Sequence, residues 1–334
     1  MIPPSRLAPA LACAALCLVL GAGGSPALAA QAPTPGAPGI GDPYFPHDGN
    51  GGIDVLHYDV HDAYTFGSGR LRGRTRLEVR ATQDLSRFDL DFLLPVRSVA
   101  VNAHRAAFRR VGDHELRITP STALAAGSTF RVSVTYAGTP AAQRSQGEKN
   151  WLASPDEVVA MNEPHMATWW FPANDHPSDK AGFDIRITVP QGQDVIANGV
   201  LVSKHQRRGR TTVHWRETQP MATYLAFFAA GSFAVSRSSC HGVPNIFALS
   251  RKVNHNAPSK LARSLAHDTC RIVTQLSGVV GPYPFASMGG LVTSLPVSFA
   301  LENQTRPTYP YLGVQPGLMT HELAHQWFGD LVSV

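Results

Sequence analysis

The 334-residue sequence predicts a mainly β N-terminal domain followed by the beginning of a mixed α/β domain. Three observations carry that expectation. From about residue 42 to residue 238, short apolar runs alternate with polar residues at a two-residue period, bounded by Gly, Pro, Asp or Ser. Past about Ser239 the apolar spacing becomes helical. A composition of 43% hydrophobic and 16% charged residues is that of a globular chain with material for about two domains.

The N-terminus reads as an address. Arg6 precedes an apolar run from Leu7 to Leu20, followed by Gly and Pro and then Ala27-Leu28-Ala29, with small residues where a signal peptidase cuts. Residues 1–29 are therefore expected to be a signal removed after Ala29. The rival reading, a permanent anchor, requires roughly 20 apolar residues, more than this run supplies. Cys13 and Cys17 leave with the signal and lack the flanks of a lipid attachment site. The expectation is an exported protein, extracellular or periplasmic/cell-envelope, without stable membrane insertion. Residues 30–41, rich in Pro, Gly and Ala, read as a linker.

In Leu71–Ala81 each even position is charged (Arg72, Arg74, Arg76, Glu78, Arg80), while Leu71, Leu77, Val79 and Ala81 occupy the other face. The same period recurs in Phe88, Leu90 and Phe92, in Phe130 to Tyr136, and in Phe183 to Val189. Several short strands imply sheet packed on sheet. The basic stretch Lys204–Arg210, with Gly209 inside it, reads as a solvated hairpin turn. The formal charge of +5 is otherwise dispersed and no recognition motif accompanies it, so nucleic acid is not an expected partner. Leu261, Leu265, Ile272 and Leu276 space as a helix, with Ser259 as its cap. Cys240 and Cys270 either pair or remain two buried thiols, and they lack the C-x-x-C clustering of a structural zinc site.

His321-Glu322-Leu323-Ala324-His325 is the most chemical segment. Residues four apart share a helix face, so His321 and His325 can offer two imidazole nitrogens to one Zn2+, with Glu322 as general base. The bland alternative is a helix with ordinary core or surface histidines. Leu318, His321, His325, Phe328 and Val332 fall on one stripe, which predicts that the histidine face turns inward.

These residues occur within a longer pattern. Ala167-Thr168-Trp169-Trp170-Phe171-Pro172 is followed by Asn174 to Ala181, then Pro220-Met221-Ala222-Thr223-Tyr224-Leu225, Gly281-Pro282-Tyr283-Pro284-Phe285 and His321 to Asp330. In that order they resemble the aminopeptidase N family of gluzincin metallopeptidases, especially its actinobacterial-type members, from about Asp42 to the last residue. The resemblance implies a saddle-shaped β domain (42–238) and the start of a thermolysin-like catalytic domain (239–334). It also implies that Phe299-Ala300-Leu301-Glu302-Asn303 matches the family's G-x-M-E-N exopeptidase motif on an edge strand, with Phe299 in place of Gly and Leu301 in place of Met.

By the same resemblance, His321 and His325 bind one zinc ion and Glu322 is catalytic. Ala300, Glu302, Asn303 and Glu163 bind the substrate, a peptide with a free N-terminus. Fixed negative charge from Glu302 and Glu163 would recognise the α-ammonium group. Glu163-Pro164 reads equally well as a surface turn. The family's third zinc ligand, a Glu separated from the second His by about eighteen residues, falls near position 344, and its transition-state Tyr lies further on. The sequence is accordingly read as an incomplete chain of a zinc aminopeptidase, inactive alone. The alternative is a non-catalytic β-rich binding protein or remnant that retains the motif, and leukotriene hydrolases share the same scaffold.

Overall fold

The computed structural model describes residues 32–254, 256–312 and 314–333; the expected signal lies outside them. An eight-stranded sheet runs in the order Val200–Arg207, Arg210–Met221, Ala181–Pro190, Ile53–Thr65, Arg70–Ala81, Thr129–Gly138, Val96–Val101, His104–Arg105. All its neighbours are antiparallel except Ala181–Pro190 and Ile53–Thr65, which run parallel. In Arg70–Ala81 the expected alternation holds: Leu71, Leu77, Val79 and Ala81 are buried and the charged positions point out. Arg208 and Gly209, both with positive φ, close the basic hairpin as a two-residue turn.

Two smaller sheets pack on the larger one. The first contains Thr34–Pro35, Leu85–Asp91, Glu115–Thr119 and Ala107–Val111. Its first pairing takes in residues expected to be linker: Thr34–Pro35 runs parallel to Leu85–Asp91. The second contains Leu152–Ala153, Val158–Ala160, Phe228–Gly231 and Asp194–Ala197. One continuous core joins all three, with Phe88 against Phe130 at 5.3 Å and Trp170 against Phe228 at 5.2 Å between ring centroids.

The last sheet begins with Phe233–Cys240, a strand that runs across the boundary expected at 238/239. It pairs antiparallel with Val243–Ser250, which is joined to the parallel strand Met288–Thr293 by helix α1 (Pro258–Val280). Parallel neighbours require such a crossover. Thr308–Pro310 completes the sheet. A second core forms here from Leu265 and Ile272 of α1, Phe247, Val292 and Tyr309 of the sheet, and Met319 and Leu323 of helix α2 (Pro316–Ala324). Ser259 is not the cap of α1. The helix starts one residue earlier with Pro258 at its first position, and the N-cap is Ala257, whose N–H donates to Asn254 Oδ1 at 3.1 Å. Cys240 and Cys270 form a disulfide between the Phe233–Cys240 strand and α1. Among the described residues no helix is long and apolar enough to cross a membrane.

Candidate active site

Helix α2 is only nine residues long and ends at the second histidine of the motif. Its inward face is Met319, Glu322 and Leu323, continued by Gln326 and Trp327. The expectation of an inward histidine stripe is therefore incorrect. His321 is exposed and His325 half-buried, while Phe328 and Val332 are each 61% exposed. The apolar residues that anchor the helix, Met319, Leu323 and Trp327, sit between the positions of the stripe, and the histidines lie on the open side.

That open face is ordered. His321 Nε2 and His325 Nε2 stand 3.3 Å apart. His325 Nδ1 lies 3.0 Å from the Phe328 carbonyl, so an Nδ1–H donating there leaves the lone pair on Nε2. Gly329 permits this return of the chain. Its φ of 130° is outside the range of ordinary side chains, and a Cβ would lie 3.3 Å from His325 Nδ1.

Glu322 is buried, and its pKa is raised to about 7, first by burial and then by repulsion from Glu302 and Glu163, with His325 opposing. Glu163 is exposed, precedes a cis proline, and is shifted upward by desolvation and by Glu302. Burial followed by the Glu302 charge also pushes the Tyr224 hydroxyl up. Glu163, Tyr224, Glu302, Glu322 and the two histidines thus converge. A cavity of about 440 Å³, lined by Phe45, Glu163, Pro164, Pro177, Tyr224, Gly329 and Ser333, opens beside them.

The segment 299–303 is not an edge strand; its ladder contact is a single bridge from Leu301 to Thr308. Phe299 is partly exposed and Leu301 fully buried. Ala300 packs on the second core. Asn303 is fully buried, its Nδ2 donating to the Leu225 carbonyl at 3.1 Å and its Oδ1 accepting from Thr308 Oγ1 at 2.9 Å. Both ends are occupied within the protein, so Asn303 shapes the loop that presents Glu302.

Three contributors carried no role in the sequence reading, although each lay in a quoted motif. Tyr224 donates to Glu302 Oε1 at 3.1 Å. Gln326 bonds the Glu302 carbonyl, the Thr305 N–H and the Tyr283 hydroxyl. Lys180 Nζ donates to the carbonyls of Asp330 at 2.7 Å and Leu331 at 3.0 Å, tying the β domain to the turn after α2.

Among the described residues no third His, Cys or carboxylate offers an atom close to both His321 and His325. The pair nevertheless fits zinc: with Zn–N bonds of about 2.0–2.1 Å and tetrahedral angles, two ligating nitrogens stand about 3.4 Å apart.

Residues 57–225 match the family model described as the peptidase M1 N-terminal domain. The endoplasmic reticulum aminopeptidase 1 of Rattus norvegicus is 25% identical over 324 residues, covering 84% of this chain and 33% of its own length. This chain spans about a third of the length of such curated relatives. The crystal structure of an M1 zinc metallopeptidase from Deinococcus radiodurans superposes with a TM-score of 0.78 at 30% identity, covering 89% of this chain and 68% of that one. A variant of a Deinococcus radiodurans M1 zinc metallopeptidase bound to a Tyr-Ser-Ala substrate gives 0.79 at 29% identity, covering 89% and 69%. By its matched N-terminal domain and by this fold at this identity, the chain belongs to the aminopeptidase N, or M1, family of peptidases.

Proposed function

We propose that this chain forms the β domain and part of the catalytic face of an exported zinc aminopeptidase, which releases N-terminal residues from peptides. The observation that carries the reading is the 3.3 Å convergence of His321 and His325 Nε2 beside the buried Glu322, with Glu302 and Glu163 close enough to perturb it. His321 and His325 would hold one zinc ion, whose chemistry is Lewis-acid polarisation of a peptide carbonyl and acidification of water.

The chain's own groups supply the rest. Glu322, with a pKa raised to about 7, is suited to accept a proton at its carboxylate and to deliver it to the leaving amine. Glu302 and Glu163 bind the α-ammonium group, and Tyr224 holds the Glu302 carboxylate in place. The tripeptide on the Deinococcus relative supports a peptide substrate. Export is supported by the expected signal in residues 1–29 and by the Cys240–Cys270 bond, which suits an oxidising compartment.

The test uses the protein containing this chain. Glu322→Gln should retain zinc, because Glu322 is no ligand, and lose a factor of about a hundred or more in kcat on an aminoacyl anilide. Loss of zinc from that variant, or full activity, would refute the assignment.

A further inference from the structure

Glu115 stands opposite Asp91 where the strands Leu85–Asp91 and Glu115–Thr119 pair, and Phe92 N donates to the carbonyl of the preceding His114 at 2.7 Å. Reciprocal bonds between Asp91 and Ala173, at 2.8 and 3.1 Å, then bring in the loop carrying Asp175, whose N–H donates to Asp91 Oδ2 at 2.8 Å. Backbone pairing therefore gathers three carboxylates and an imidazole.

All four residues are buried: Asp91 is 1% exposed and Asp175 4%, while the side chains of His114 and Glu115 are 11% exposed each. One oxygen of each aspartate is bonded. Asp91 Oδ2 accepts from Asn50 Nδ2 and from the Asp175 N–H, and Asp175 Oδ1 accepts from the Thr223 hydroxyl. Asp91 Oδ1, Asp175 Oδ2, Glu115 Oε2 and His114 Nδ1 have no hydrogen-bond partner among the described residues. His114 Nε2 lies 2.9 Å from the His47 carbonyl, 3.5 Å from Asp91 Oδ1 and 3.7 Å from Glu115 Oε1.

Ligand atoms of Asp91, His114 and Glu115 all lie within 4.8 Å of one another. A small space of about 10 Å³, room for one water-sized sphere, is lined by Asp91, His114 and Asp175 together with Asp48 and His165. Apart from His114 itself, no cationic side chain among the described residues forms an ion pair with these acids. His165 directs its nitrogens at Asp48 Oδ2, 2.9 Å away, and Glu148 Oε2, 3.1 Å away, while Arg117 is spent on Asp89. Buried carboxylates left unpaired are costly, whereas a bound cation satisfies several of them at once.

We propose that one divalent cation binds through Asp91, His114 and Glu115, at the edge of the small space that Asp91 and His114 line. A set of hard oxygens with one imidazole suits an oxygen-preferring transition ion such as Mn2+. Its donors are none of the residues of the zinc pair. The ion would fix the end of the Leu85–Asp91 strand to Glu115 of its neighbour, beside the Asp91–Ala173 bridge to the loop that leads on to Pro177, in the wall of the 440 Å³ cavity.

The probe is Mn2+, titrated into metal-free protein carrying His321→Ala and His325→Ala, with free ion followed by its electron paramagnetic resonance signal. One Mn2+ per chain is expected, together with a rise of several degrees in Tm. Adding Asp91→Asn should abolish both, and adding Glu115→Gln should weaken binding at least tenfold. Because these neutral variants remove mutually repelling charges, their metal-free forms should melt no lower than the parent, which separates lost binding from lost folding. Absence of stoichiometric Mn2+ in the double-histidine variant, or binding unchanged by Asp91→Asn and Glu115→Gln, would overturn the proposal.

Discussion

The carboxamide of Gln326 donates to the main-chain carbonyl of Glu302 at 3.0 Å, while its oxygen accepts the Thr305 N–H at 2.7 Å. One fully buried side chain thereby fixes the distance between the residue after the second histidine and the acid proposed to bind the substrate amine. Gln326→Ala leaves a buried donor and a buried acceptor unpaired, so a loss of about 1–3 kcal/mol is expected in denaturant titration. Discrimination between free-amine and N-acetylated substrates should fall as well. Unchanged discrimination in a folded variant would show that Glu302 is held by other means.

Tyr224 contributes a hydroxyl to Glu302 Oε1 and lines the adjacent cavity. Tyr224→Phe keeps the ring and removes one hydrogen bond to a charged group, worth about 1.5–3 kcal/mol. The expected result is a fall of about tenfold or more in kcat/KM for free-amine substrates, carried mainly by KM, with little effect on N-blocked ones.

Legibility in the sequence tracked how differently the two faces of an element are solvated. Arg70–Ala81 has one wet face, so its charges alternated cleanly and the strand was readable. Phe88, Leu90 and Phe92 were readable too, but Asp89 and Asp91 between them are each 1% exposed. Alternation alone does not distinguish a wet face from a buried polar one, and the proposed cation site lies on that hidden face. On α2 the helical period was right and the inward direction was not, because Glu322 and Gln326 are polar residues that face the interior. The Cys240–Cys270 pairing had no local signal, since 30 residues of separation say nothing about geometry.

Glu217 is 2% exposed, with Oε1 accepting the Gln219 N–H and Oε2 unpartnered among the described residues. Burial raises its pKa from 4.5 to about 7. The folded protein thus binds this proton more tightly than the unfolded chain does. The resulting stabilisation is fully present below about pH 4.5 and is lost as pH rises through about 7, with an upper bound of about 3 kcal/mol. Glu217→Gln should flatten the fall in Tm between pH 5 and 8. Asp179, also raised to about 7 by burial, acts in the same direction and leaves a residual slope. A slope identical to that of the parent protein would show that Glu217 is not the group responsible.

The Cys240–Cys270 bond closes a loop of 30 residues across strand and helix. In the chain-entropy account such a loop is worth about 3–4 kcal/mol. Replacing both cysteines by serine should lower stability by that order, with zinc content and substrate discrimination unaffected, because neither residue touches the site. A loss below about 1 kcal/mol would mean that the unfolded chain is already constrained there.

The Glu302 charge pushes Glu163 upward, and both acids push Glu322 upward, so the three carboxylates lie near one another beside the cavity that Glu163 lines. If Glu163 and Glu302 grip one α-ammonium group, their contributions are coupled. Either single change to Gln then removes most of the recognition, and the second change costs little more. A double-mutant cycle on kcat/KM should therefore show an interaction energy of about 0.5–3 kcal/mol for a free-amine anilide and none for its N-acetylated counterpart. Glu302→Gln should be the more damaging single change. Its carboxylate is held by Tyr224 and its backbone by Gln326, whereas Glu163 is exposed beside its proline. Strict additivity with a negligible effect of Glu163→Gln would leave Glu163 as a turn residue and Glu302 as the anchor acting alone.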